Sequence, residues 1–411
     1  MANILYWTII VIAVAEFAFD CVLRYLNFKA SKQPIPKELE GLYDEETYKK
    51  QQSYLSERRH VSLIGSVINT CLTICLFAFG GFALFDSWVR EITDWPVLMA
   101  ILYMLIFNII GMVIDIPFSY YSTFTIETKY GFNRMTKKLF WTDLLKGTLL
   151  SIAITSLILG AVVWIYGIIP EWFWLAAWAT ISGFQMFMQY IYTDLIVPIF
   201  NKLTPMEEGE LRTAIETFAN KVDFKLENIY MQDSSKRSTH GNAYFSGWGK
   251  RKKVVIYDTL TQQLSTEQIV AVLAHEIGHQ KNGHILKSSI TGLANMLVTL
   301  WLFSLVIDSQ AIAEAAGCTE PSFHINIMVF SMLYTPISMV TGMLMAIMSR
   351  KHEWEADEFA RKYGEGKDIS EALKAMSKHS LANLTPHPLV VFMEYSHPTL
   401  LERVKHLEQE D

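Results

Sequence analysis

Cysteine is scarce in this sequence. There are four in 411 residues, Cys21, Cys71, Cys75 and Cys318, and no two stand in C-x-x-C spacing. That excludes a disulfide framework and a paired-thiol metal site. Cys71 and Cys75 lie at helical spacing in an apolar block, where a thiol serves as a small hydrophobe. Charge is thin as well. Lys and Arg number 35 against 41 Asp and Glu, a net of -6, which gives no basic surface for nucleic acid. Internal repeats and low-complexity tracts are missing, which argues against repeat architectures.

What the chain has in abundance is apolar residues, 51% of the total, with mean hydropathy +0.22. They come in blocks. A helix needs about 20 mainly apolar residues to cross a bilayer. The stretches that qualify are roughly 4–22, 61–85, 96–118, 147–169, 172–196, 285–308 and 324–348. The first lacks a basic leader and a small-residue cleavage site, and carries Glu16 and Asp20. It is therefore expected as a retained span and not as a removed signal.

The loops set the orientation. Basic residues crowd 23–60 (Arg24, Lys29, Lys32, Lys37, Lys49, Lys50, Arg58, Arg59), 119–146, 197–284 and the tail after 349. Between them, the loops 86–95, 170–171 and 309–323 hold Arg90 alone. The positive-inside rule then places the N-terminus outside and the C-terminus in the cytoplasm. The partners this implies are a lipid bilayer and no nucleic acid.

Two basic-side pieces are large enough for chemistry, 197–284 and 349–411. Residues 207–221 show helical periodicity. Residues 226–232, 242–248 and 253–258 are short β-branched or aromatic runs bounded by turn residues, which predicts three strands. Ser265 with Gln268 three positions on is a capping box, so a helix starts there. It carries Ile269, Val272, Leu273 and Ile277 on its core side.

That helix contains His275-Glu276-Ile277-Gly278-His279. Imidazoles at i and i+4 share a face and can reach one zinc ion. Glu276 beside the first ligand can polarise an attacking water and hand its proton to the leaving amine. A catalytic zinc needs a third protein ligand. Were the helix to continue straight, His284 would point away from His279 and sit at an exposed helix end. A carboxylate in Ser349–Asp357 suits better. Glu353 and Asp357 are i and i+4, so one can bind the metal while the other holds a ligand imidazole by its free N–H. Spacing alone leaves Glu353, Glu355 and His352 open as the ligand.

Several segments, taken together and in order, resemble the CaaX prenyl protease 1 family, zinc-dependent seven-span membrane metalloendopeptidases, and more distantly the bacterial heat-shock membrane metalloproteases. They are Glu127-Thr128-Lys129-Tyr130-Gly131-Phe132-Asn133, Pro198-Ile199-Phe200-Asn201-Lys202, Asn242-Ala243-Tyr244-Phe245-Ser246-Gly247, the two motifs above, and Tyr395-Ser396-His397-Pro398-Thr399-Leu400-Leu401-Glu402-Arg403. The resemblance implies that Glu353 is the third zinc ligand, with Asp357 behind a ligand imidazole. It implies that His397 stabilises the oxyanion, and that the strand at Asn242, Ala243 and Tyr244 hydrogen-bonds the substrate backbone. An edge strand beside the metal helix can take an extended peptide by strand addition.

The expected fold is thus a mainly α membrane protein. Seven transmembrane helices, which the resemblance has enclosing a chamber, carry a small α+β zincin-like protease domain on the cytoplasmic side. Asp20, Asn69, Asn108, Asp115, Gln185, Gln189 and Asn295 lie within spans, where polar groups face water or one another. The expected division is 1–200 for spans one to five, 201–284 for the protease part, 285–348 for spans six and seven, and 349–411 for a tail completing the zinc site. The partner is a peptide or protein substrate, prenylated or unmodified. The alternatives are a quality-control protease and a membrane scaffold or transporter with a structural metal. The short chain and a tail, 408–411, without a lysine-based retrieval signal point to a bacterial inner membrane before the endoplasmic reticulum.

Overall fold

The computed structural model describes residues 1–226, 228–247 and 252–409. The apolar blocks fold as long helices: α1 (Ala2–Ala30), α2 (Glu45–Ala78), α3 (Gly81–Ile92), α4 (Pro96–Tyr121), α5 (Lys137–Ile168) and α6 (Phe173–Ile191). Side-chain caps at Asp44 and Thr136 start α2 and α5, each accepting from a backbone N–H of the first turn. The expected span 61–85 differs. Its helix runs from Glu45 only to Ala78, and after a turn at Phe79 and Gly80 the apolar run continues in α3. Apolar content does not record that bend. Both α4 and α6 end in a π-helical turn, Ser122–Glu127 and Tyr192–Ile196, where they leave the apolar zone.

Among the described residues, five helices are long and apolar enough to cross a membrane: Glu45–Ala78, Pro96–Tyr130, Lys137–Ile168, His284–Ser304 and Phe323–Lys362. The first and fifth expected spans are helical too, as α1 and α6, but are not among those five. Trp7, Val113, Leu157, Trp164, Val298 and Val340 are exposed, as apolar side chains facing lipid would be. Inside, Asp20 pairs with Arg24 at 2.6 Å, and Arg24 donates to Ser62. A cavity of about 600 Å³ opens there, lined by Glu16, Asp20, Asn69 and Met339 among others.

The mixed part is a sheet beside helices. In chain order it comprises β1 (Leu203–Pro205), α7 (Glu210–Lys221), β2 (Asn228–Gln232), β3 (Ala243–Ser246), β4 (Lys253–Tyr257) and α8 (Thr266–Lys281). Of the residues in the expected strands, Glu227 and Trp248 lie outside the described residues. Strand β1 is too short to show alternation. The sheet order is β1-β2-β4-β3, with β2 and β4 parallel and the outer pairs antiparallel, so β3 is an edge strand. The capping box is formed: Ser265 Oγ accepts from Gln268 N–H at 3.3 Å, and Ser265 N–H donates to Gln268 Oε1 at 3.1 Å. Ile269, Val272, Leu273 and Ile277 are buried in the core between sheet and helices.

After α8 come α9 (His284–Ser304), α10 (Gln310–Ala315), α11 (Phe323–Lys362), α12 (Gly366–His379), α13 (Pro388–Glu394) and α14 (Leu400–Leu407). Helix α11 runs well past the expected span end at 348, so one rigid element joins the apolar zone to Glu353 and Asp357. Gly278 sets the contact between α8 and α11. A Cβ there would stand 3.1 Å from the Ala356 Cα and carbonyl oxygen. Only a glycine lets the two backbones come this close without adjustment.

Candidate metal centre

Close packing of α8 on α11 brings two imidazoles against a carboxylate. His275 Nε2 and His279 Nε2 are 3.1 Å apart. Glu353 Oε2 lies 3.3 Å from His275 Nε2, and Oε1 lies 3.3 Å from His279 Nε2. One donor atom from each of the three falls within 4.8 Å of the others. His275 and Glu353 are buried. His397 Nε2 approaches from the loop before α14, 3.4 Å from Glu353 Oε1, with its ring more than half exposed at the mouth.

Behind His275 stands Asp357, fully buried, with Oδ1 2.8 Å from His275 Nδ1. Arg403, which sequence reasoning left without a role, is buried beside it. Its Nε and Nη2 donate to Asp357 Oδ2 and Oδ1 at 2.8 and 2.6 Å, and Nη1 is 3.7 Å from Glu353 Oε2. A signal was available: the Thr399–Glu402 capping box starts α14 and sets Arg403 in its first turn.

His284 departs from expectation. It is buried, and its Nδ1 lies 2.9 Å from His279 Nδ1. The helix does not run straight. Gly283 sits in the left-handed region (φ 66°), ending α8 and turning the chain so that His284 folds back. His284 Nε2 meets Glu355 Oε2 at 2.9 Å, and His352 stacks on the His284 ring. Of the three residues left open as a third ligand, Glu353 faces the two imidazoles, while Glu355 and His352 attend His284.

Charges follow this geometry. Burial alone would push His275 down, but its hydrogen bonds to Asp357 and Glu353 outweigh that and raise it to about 9. Burial would raise Glu353, yet the two imidazoles hold it well below the carboxylate range. Glu276 moves the other way: burial raises it, against the pull of His275 and His279. Burial lowers His397, opposed by Glu353.

Edge strand β3 packs against α8. Asn242 stands one residue before it, its Oδ1 accepting from Ala243 N–H at 2.9 Å. Ala243 is buried, and Tyr244 donates its hydroxyl hydrogen to Gln232 Oε1 at 3.4 Å. The end of α6 meets β3 through a Thr193–Ser246 hydrogen bond and the neighbouring β4 through a Lys253–Asp194 ion pair. A groove of about 440 Å³ lies between them, lined by Gln189, Tyr192, Tyr244, Ser246 and Ile285 among others.

Residues 24–202 match the family model described as CAAX prenyl protease N-terminal, five membrane helices, and residues 205–411 match that of peptidase family M48. A yeast relative, the CAAX prenyl protease 1 of Saccharomyces cerevisiae, is 32% identical over 98% of this chain and 95% of its own. The chain belongs to the CAAX prenyl protease 1 family.

Other members agree. The Arabidopsis thaliana CAAX prenyl protease 1 homolog is 32% identical, covering 98% of this chain and 97% of its own. The crystal structure of S. mikatae Ste24p superposes with a TM-score of 0.93 at 30% identity, over 98% of this chain and 99% of that one. As a CAAX prenyl protease 1 type protein, the chain is a multi-pass membrane zinc metalloendopeptidase. The residues present fit a cation. The Glu353 carboxylate is buried, with Oε2 3.3 Å from His275 Nε2 and Oε1 3.3 Å from His279 Nε2, so three donor atoms converge on one point. Two imidazoles and one carboxylate are also the donor set of catalytic zinc with an open position.

Proposed function

We propose that this protein cuts peptide bonds at the cytoplasmic membrane surface, and that its preferred substrate is a short C-terminus ending in an isoprenyl-cysteine tripeptide. His275, His279 and Glu353 would hold the zinc. The observation that carries the site is the buried Glu353 carboxylate, whose two oxygens each lie 3.3 Å from a different imidazole nitrogen, Oε2 from His275 and Oε1 from His279. When bound, zinc supplies Lewis-acid polarisation of the attacking water and of the scissile carbonyl.

The chain's own groups supply the rest. Glu276, half-buried beside His275 on the same helix, takes the water's proton and gives it to the departing amine. His397 at the mouth steadies the developing oxyanion. Asp357 holds His275 by its Nδ1–H. Edge strand β3, with Asn242, Ala243 and Tyr244, takes the substrate backbone extended. A base in that position speaks for hydrolysis and against a structural metal, which would need none.

The membrane arrangement belongs to the same reading. Seven helices span the bilayer when α1 and α6 are included, with the N-terminus outside and the C-terminus cytoplasmic, as the Lys/Arg alternation requires. They surround a water-filled chamber, which the polar cavity beside Asp20 and Arg24 supports. Residues 201–284 and 349–411 form the protease part and the remainder the spans. The relatives named above are eukaryotic, which weighs toward the endoplasmic reticulum over the bacterial inner membrane expected from sequence.

Helix α8 passes into α9 within three residues of its end, so a bond near the bilayer is within reach of the metal. A farnesyl chain gains roughly 0.8 kcal/mol per buried CH₂ group, enough to hold a short peptide at that surface. The test is kcat/KM for matched peptides with and without the lipid. Preference for the lipidated peptide is expected. A ratio near one, with efficient cutting of unmodified membrane-protein fragments, would instead support quality-control proteolysis.

A further inference from the structure

His279 turns Nε2 toward His275 and Glu353, and Nδ1 to the opposite side, 2.9 Å from Nδ1 of His284. An imidazole that gives Nε2 to an ion keeps its proton on Nδ1, and that proton needs an acceptor. For His275 the acceptor is the Asp357 carboxylate. For His279 it is another imidazole. His284 accepts on Nδ1 only if its own proton sits on Nε2, where Glu355 Oε2 lies 2.9 Å away. The carboxylate thus selects the tautomer of His284, and His284 selects that of His279. The chain of contacts is held at every joint. His284 is 3% exposed and stacked face to face on His352, with ring centroids 4.2 Å apart. Glu355 is bracketed by Lys287 at 3.8 Å and Lys351 at 3.9 Å.

We propose that His284, fixed by Glu355, is the positioning residue of His279, orienting that imidazole toward the metal through a neutral relay where His275 has a direct carboxylate. This rests on His275, His279 and Glu353 being the zinc site. Gly283 is what makes it available, since the left-handed turn there returns His284 to the back of His279. The local pattern is H-E-x-x-H followed by Gly-His four and five positions after the second ligand.

The test uses the full chain in detergent and reads the zinc Kd by competition with a chromophoric chelator, together with the Tm of the zinc-free protein. His284→Phe keeps the stack on His352 and loses the acceptor. His284→Asn keeps an acceptor near the place of Nδ1 and loses the stack. We expect His284→Phe to raise the zinc Kd about 10- to 100-fold, as loss of such a supporting partner does, without lowering the zinc-free Tm in step. His284→Asn should recover most of that affinity. Glu355→Gln, which leaves the buried ring untouched, should weaken zinc in the same direction and by less. A parental Kd in His284→Phe, or equal weakening by Phe and Asn, overturns the positioning role. His279→Ala separates the two levels. Parental zinc content in His279→Ala means that the metal site itself is misread. Zinc lost there but held at parental affinity in both His284→Phe and Glu355→Gln rejects the positioning role alone.

Discussion

Arg403 and Asp357 form a buried two-point ion pair, Nη2 to Oδ1 at 2.6 Å and Nε to Oδ2 at 2.8 Å, directly behind His275. The guanidinium lets a fully buried carboxylate stay ionised, and the ionised carboxylate holds the His275 N–H. Arg403→Ala is therefore expected to cost about 3–5 kcal/mol of stability, the penalty for leaving a buried charge without its partner. Arg403→Lys should recover little, because an ammonium cannot make two parallel bonds. Thermal unfolding of both variants checks this, and a parental Tm in Arg403→Ala would count against it.

The same pair predicts a pH dependence. Burial would raise Asp357, but its bonds to His275 and Arg403 prevail and lower it. Its contribution is then complete above the ordinary carboxylate value of about 4 and is lost as pH falls through the depressed folded value. Unfolding measured across this range should show a steeper acid loss in the parent than in Arg403→Ala. Parallel profiles would mean that the pair does not govern the acid limb.

On the proposed role of Glu276 as base and not as ligand, Glu276→Gln is expected to abolish peptide hydrolysis while zinc stays bound stoichiometrically. Metal analysis beside a single-turnover assay decides it. Zinc lost with activity would make Glu276 a ligand, and retained turnover would remove it from the chemistry.

Glu353→Ala should lose zinc far more than Glu355→Ala does. Glu353 faces both imidazoles, while Glu355 meets the centre only through His284. Metal content of the two purified variants is the measurement, and equal content would show the carboxylates to be wrongly ranked.

Gly278→Val should part α8 from α11. The added side chain meets the Ala356 backbone, which cannot swing away as a flexible side chain would. An overpacking cost of about 1–3 kcal/mol is expected, together with weaker zinc binding as Glu353 is drawn from the two imidazoles. Unchanged zinc affinity would mean that the helices absorb the change.

Reporter fusions at each terminus test the orientation. The N-terminus is expected outside and the C-terminus in the cytoplasm, and two ends on one side would mean an even number of spans.

Much of this was legible because it is local. Apolar runs mark helices wherever the solvent is lipid. The capping box at Ser265 and the i, i+4 spacing of His275 and His279 specify a helix with two imidazoles on one face, a candidate metal face, with no help from the rest of the chain, since helical geometry is a property of a few adjacent residues. The bend at Phe79 and Gly80 and the short strand β1 left weaker marks, as both lie within segments that look uniform at the scale of periodicity.

What tertiary structure decided is which residues meet. Glu353, Glu355 and His352 share one helix turn, and spacing leaves all three open. The choice of Glu353 depends on how closely α11 lies against α8, a distance set by Gly278 on one helix and Ala356 on the other. His284 was sent to the surface by extending a helix that Gly283 in fact ends. Arg403 reaches Asp357 only because α14 docks beside α11. The sequence by itself determined the membrane class, the candidate metal helix and the carboxylate proposed as base, because each follows from local patterning. The third face of the centre and the groups that orient its imidazoles were decided by packing between helices far apart in the chain, where a shift of about one ångström changes which side chain arrives.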